Sequence, residues 1–276
     1  MIDALLGYTF MQNALIAALL ASISAGIIGT IAIEKKLISM SGGIAHASFG
    51  GIGLGYLAGF EPIWGGLAFA VAASVLVGKR PGKGSSADTM TGILWALGMA
   101  LGILFISLAP GYMPDMTSYL FGDILAVSTD SLIYMGAFTA AVLLVFLALR
   151  RPLVLYLFDE SFAAARGIKT GLLKWTVYII IPIGIIVLIK VVGVILTIAL
   201  MTIPVSIAKL YCRSVGKVIA VSAAISFALC IVGLVVSYYV NIPSGVCIIV
   251  LGAVVYLLLL ATRGTIQRWL HRRHLH

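Results

Sequence analysis

Apolar runs of membrane length follow one another almost from end to end of this chain, interrupted by polar stretches of only about a dozen residues. Lipid offers no hydrogen-bond partner to a backbone, so such runs must cross as helices or as a closed barrel. Runs near 20 residues fit the helical solution. The composition agrees: 62% hydrophobic and 10% charged, with a mean hydropathy of +1.18. Soluble domains of this size are far more polar. The expected fold is all-α, a single polytopic transmembrane bundle over residues 1–276 with no folded domain outside the bilayer. No GxxxxGK[ST] phosphate loop occurs, so any nucleotide hydrolysis would belong to another chain.

Hydropathy places nine spans near 14–33, 38–59, 62–78, 90–109, 131–149, 172–190, 192–211, 217–239 and 244–262, with eight as the other possible count. The net charge of +9 follows this pattern rather than a nucleic-acid footprint. Every Lys and Arg except Lys190 falls in alternate loops on one side. The positive-inside rule makes that side cytoplasmic, with the N-terminus outside and the C-terminus inside, against anionic lipid. The start lacks the features of a cleaved signal peptide. Cys212, Cys230 and Cys247 are widely spaced and form no CxxC pair.

His46 lies within the second span, among Gly42, Gly43, Ala47 and Gly50. An ionisable ring inside a bilayer is costly and marks a pathway or binding site. The alternative is a packing helix whose histidine bonds a neighbouring carbonyl. Gly43, Ala47, Gly51, Gly55 and Gly59 recur every fourth residue, which predicts one close-packed face.

Two polar regions break the hairpin pattern. Residues 110–130 are too short and polar to span, and suggest an external helix or a re-entrant segment. Phe158 to Thr170 carries Asp159 and Glu160, then alanines, then Arg166 and Gly167. Acids first and glycine last predict a short interfacial helix. Asp123 reads as a pathway acid or a helix cap. Lys190 is expected to snorkel to the interface. Met201 and Pro204 share one helix, where proline frees a carbonyl; they either line a pathway or mark a packed kink. Met99, Met113, Met116 and Met135 form no soft-metal ladder. The tail histidines His271, His274 and His276 belong to a basic juxtamembrane segment.

Local patterns then converge on one family. Met40 to His46 resembles the M-S-D-A-L-A/S-H segment of metal-ion ABC importer permeases, the zinc, manganese and iron group. Tyr119 to Ser128 is similar to its L-F-G-D-I-L-A-V-S segment. Phe158 to Ile168 resembles its D-E-E-F-A-R-A-R-G cytoplasmic loop. Lys190 to Pro204 resembles its K-V-V-G-V-L-L helix, and Asn241 to Gly245 its L-P-T-G-P turn. The resemblance implies a homodimeric permease without enzymatic activity of its own. Separate ATP-binding cassette subunits would drive it, and an extracytoplasmic binding protein would deliver zinc, manganese or iron. It implies that the 158–168 helix couples to the ATPase through Asp159, Glu160, Ala163, Arg166 and Gly167, and that His46 handles the ion. One departure matters. Where the family has Asp four residues before the histidine, this chain has Gly42, so another group must act with His46, and Asp123 is the first acid to consider.

Two other readings remain. A permease for a metal chelate, such as a siderophore or cobalamin, needs a wider path and no histidine. A stand-alone secondary transporter should carry more intramembrane acids on broken helices than this chain has.

Overall fold

The computed structural model describes residues 9–79, 86–110, 120, 122, 124–240 and 242–273, with side chains described through 262. Eleven α-helices and no strand occur among the described residues. They are α1 Thr9–Glu34, α2 Ile38–Ala58, α3 Pro62–Gly78, α4 Ala87–Leu108, α5 Thr129–Ala148, α6 Arg150–Phe158, α7 Glu160–Ala165, α8 Thr170–Val192, α9 Val194–Tyr211, α10 Val215–Val240 and α11 Ser244–Arg273. A 3-10 turn at Ile124–Ala126 precedes α5. By length and composition, α1, α4, α5, α8, α9, α10 and the 244–262 part of α11 can cross a membrane. The fold is therefore a polytopic helical bundle.

Of the two remaining long helices, α3 is apolar but has 17 residues. Helix α2 has 21 residues but is rich in glycine and serine. Such a helix suits the interior of a bundle, where small residues let backbones approach and other helices shield it from lipid. Helices α3 and α4 flank it, and α8 and α9 lie behind.

Helix α1 is the second centre. Its alanine face (Ala14, Ala17, Ala18, Ala21, Ala25) is fully buried, and α5, α8, α9 and α10 gather around it. The Ser24 and Thr139 hydroxyls, 2.8 Å apart, tie α1 to α5.

Two helices carry an internal proline, Pro182 in α8 and Pro204 in α9. Proline has no N–H, so the carbonyl four residues earlier loses its helical donor. In α8 that carbonyl belongs to Tyr178, and the Ser74 hydroxyl on α3 donates to it. The bundle thus satisfies across helices a group that lipid could not. Gly193, at φ 82° and ψ 169°, separates α8 from α9. A β-carbon at nearby Gly122 would collide with the Val192 carbonyl just before this break.

The helix ends sort by charge. At one end Lys209 reaches Glu34 at 2.9 Å and the Lys174 ammonium donates to the Gly78 carbonyl at 2.7 Å. Glu34 closes α1 at its negative dipole end, so Lys209 offsets an unfavourable placement. At the other end Lys190 lies 3.8 Å from Glu61.

Candidate functional site

His46 sits where α2 meets α4. Two glycine faces grip α2. Toward α4, Gly43 abuts Thr91, Ala47 abuts Gly98, and Gly53 abuts Gly102; toward α3, Gly51 abuts Gly65 and Gly55 abuts Pro62. The single face expected from the fourfold spacing is therefore split between two partners. Each step of four residues precesses about 40° around a helix of 3.6 residues per turn. By Gly51 the row has rotated from α4 toward α3. Gly59 packs against nothing within 4 Å; it ends α2 in the left-handed conformation, at φ 74°.

The His46 ring is half-buried. It stacks on Trp95 of α4, with centroids 4.3 Å apart and planes within 10°. Its Nδ1 lies 3.3 Å from the Met99 sulfur. Trp95 and Met99 are one helical turn apart on α4, so both reach one ring. The partner is thus a side-chain sulfur rather than the backbone carbonyl of the packing alternative. Gly42 lies under the same indole: a β-carbon there would be 3.6 Å from Trp95. No group of three His, Cys, Asp or Glu able to hold a metal occurs among the described residues. Gly50 packs against the Gly98 carbonyl and the Phe69 ring.

A cavity of about 420 Å³ opens at the Lys190 end, lined by Ile52, Tyr56, Glu61, Ser128, Ser131 and Lys190 among others. His46 is not in its wall. Residues 46 and 52 differ by about 240° around the helix axis, so ring and cavity face different ways. Lys190 does more than reach the interface: besides Glu61, it stands 5.2 Å from the Tyr134 ring centroid. Gly122 borders the cavity, whereas Asp123 lies outside the described residues. Met113, Met116 and the tail histidines His274 and His276 lie outside them too, and no side chain is described at His271. Met201 and Pro204 are buried in α9, and the Met201 backbone packs against Gly29 of α1. Neither forms part of the cavity wall.

At the opposite end, α7 is a short capped helix. The Asp159 carboxylate accepts from the Phe162 N–H at 2.9 Å. At its other end Ile168 N–H donates to the Ala163 carbonyl and Gly167 N–H to that of Ala164. This double bond pattern requires a left-handed residue, supplied by Gly167 at φ 77°. Ala163 is fully buried beneath the helix. Phe158 and Phe162 stay exposed, with the Arg166 guanidinium 5.1 Å from the Phe162 ring centroid.

Lys35 reads in the sequence only as one of the basic loop residues. Its ammonium lies 3.4 Å above the Tyr156 ring centroid and 3.7 Å from the Glu160 carboxylate. Burial pulls its pKa down, while Glu160 and, more weakly, Asp159 pull it back up. Burial, assisted by Glu160, pushes the Tyr156 hydroxyl up. Only its place in the bundle reveals this cluster, because Lys35 is far in sequence from Tyr156, Asp159 and Glu160.

Known proteins share this architecture and its sequence. The manganese import system permease protein ScaB of Streptococcus parasanguinis is 31% identical over 258 residues, covering 93% of this chain and 92% of that one. The probable iron transport system membrane protein of Haemophilus influenzae is 31% identical over 257 residues, covering 93% and 94%. The solved structure of PsaBC from Streptococcus pneumoniae in complex with Fab superposes with a TM-score of 0.84 at 29% identity, covering 93% of each chain. The profile of the ABC 3 transport family matches residues 7–263. With nearly its whole length matched and the bundle in common, the chain belongs to the ABC 3 transport family.

Proposed function

We propose that this multi-pass membrane protein is the permease subunit of an ATP-driven importer for divalent transition-metal ions. Relatives named for manganese and for iron support the substrate class. The carrying observation is His46: a half-buried imidazole inside a bilayer helix, stacked on Trp95 and touching Met99, with no cluster of three His, Cys, Asp or Glu among the described residues. A sparse site of this kind suits transient passage, because conduction needs binding weak enough to release. Imidazole is a good donor to zinc, iron and other borderline ions.

The partly exposed His46–Trp95 edge calls for cover inside a membrane, and a second copy about a two-fold axis would supply it. The two histidines would then face one path. The basic helix ends gather at the Lys35–Glu160 end, which supports a cytoplasmic assignment for that end and nine spans with the N-terminus outside. There α7 and the residues at its two ends present Phe158, Phe162 and Arg166 as a docking surface for a separate ATP-binding subunit. Asp159 and Gly167 fix its ends, and buried Ala163 seats it on the bundle. An external binding protein would deliver the ion at the Lys190 end, where Asp123 follows the cavity-lining Gly122.

The test is metal uptake by vesicles holding the chain with its ATPase and binding protein, wild type against His46→Ala. The expected result is loss of ATP-dependent uptake with the complex still assembled. Unchanged uptake in the variant would remove His46 from the path.

A further inference from the structure

We propose that the Met99 thioether is a second donor to the passing ion beside His46, making the site a nitrogen–sulfur one that favours zinc or ferrous iron over manganese. This rests on the importer reading above and narrows its substrate.

Helix α2 offers His46 no second donor three or four residues away, where Gly42, Gly43, Phe49 and Gly50 stand. At position 42, one turn before the histidine and on its side of the helix, there is no side chain. The Trp95 ring stands 3.6 Å from where a β-carbon would project. A carboxylate cannot come from there. What reaches His46 instead comes from α4: the Met99 sulfur, 3.3 Å from Nδ1. Both side chains are half-buried, so neither is sealed in the core.

The spacing suits chelation. With metal–nitrogen and metal–sulfur bonds of about 2.0 and 2.3 Å, donors 3.3 Å apart subtend roughly 100° at a shared ion, close to a tetrahedral angle. Thioether and imidazole are soft and borderline donors; manganese prefers carboxylate, carbonyl and water oxygens. A site that exchanges a carboxylate for a thioether therefore loses what manganese needs and keeps what zinc accepts. The stacked Trp95 limits rotation of the imidazole and holds Nδ1 toward the sulfur.

The experiment uses the assembled complex in vesicles, with zinc, ferrous iron and manganese as separate probes, comparing wild type, Met99→Leu and Met99→Asp. Leucine keeps the volume and removes the sulfur. The expected result is zinc uptake reduced about tenfold by Met99→Leu, the scale on which even supporting groups alter metal sites. Met99→Asp should raise the manganese-to-zinc ratio by a similar factor. X-ray absorption of the zinc-loaded complex without its binding protein should show a sulfur neighbour that Met99→Leu abolishes. An unchanged zinc-to-manganese ratio in Met99→Leu, or a zinc shell without sulfur in wild type, overturns the role of Met99 while leaving the importer reading standing. Failure of wild type to move zinc, ferrous iron or manganese overturns both.

Discussion

The Lys35 ammonium lies 3.7 Å from the Glu160 carboxylate, joining the turn before α2 to the first residue of α7. Lys35 stands three residues ahead of Ile38, where the His46 helix begins. Movement of α7 against an ATPase would thus reach α2 through one ion pair, steadied by the Tyr156 ring beneath it. Lys35→Met should lower the number of ions moved per ATP several-fold. Stability should change by only about 1 kcal/mol or less, because Glu160 is largely exposed. The paired exchange Lys35→Glu with Glu160→Lys should recover part of the coupling. An intact ion-to-ATP ratio in Lys35→Met would remove the pair from the transmission path.

The same lysine sets a pH dependence. Burial outweighs Glu160 and Asp159, so its folded pKa lies below 10.5. Between that depressed value and 10.5 the unfolded chain binds the extra proton, and this group's contribution to stability rises with pH. Coupling should move the opposite way, since the neutral amine no longer pairs with Glu160. Substrate-stimulated ATPase activity, followed as pH rises through that alkaline window, should fall in wild type. It should hold in Lys35→Arg, whose guanidinium stays charged.

Ser74 supplies the donor that Pro182 removes from Tyr178. Ser74→Ala should cost about 1–2 kcal/mol, the scale of an interhelical hydrogen bond in a membrane protein. In a Pro182→Ala background the helix can remake its own bond, so the cost should shrink. Thermal unfolding in detergent of the four variants closes the cycle. Equal costs in both backgrounds would mean that Ser74 matters only for packing.

Glycines of one helix should differ sharply. Gly51 meets the Gly65 backbone, where nothing can rotate aside. Gly51→Ala should cost about 1–3 kcal/mol, as overpacking does, and should separate α2 from α3. Gly59 has open space but a φ of 74°, so Gly59→Ala should cost only about 1–2 kcal/mol from left-handed strain. Uptake assays should then lose function for Gly51→Ala and keep it for Gly59→Ala.

The long helices were legible because hydropathy reports the environment of a segment, and α7 was legible from its end signals, whereas α6 lies outside the apolar runs and was not. The limits of the long helices were less so: α1 starts at Thr9 rather than near 14, and α11 runs on to Arg273, because helical hydrogen bonds continue where lipid burial ends. His46 was legible as an anomaly of polarity. Its neighbours were not. Spacing along the chain shows what shares a face of one helix, never which helix lies opposite. The fourfold glycine row reads as a single face for that reason, and Met99, one of several methionines that form no ladder, gains meaning only beside an imidazole 53 positions away. Lys35 escaped notice because a loop lysine looks like any other cytoplasmic charge.

The glycine grip on α2 constrains descent as well as mechanism. Where backbone meets backbone on two sides, almost any single replacement collides, so the position of His46 against its neighbouring helices should pass nearly unchanged between relatives. Helix α4 meets the ring with the side chains of Trp95 and Met99 rather than with backbone. Changes of cargo among related permeases should therefore be recorded on α4, one turn at a time, while the histidine helix stays still.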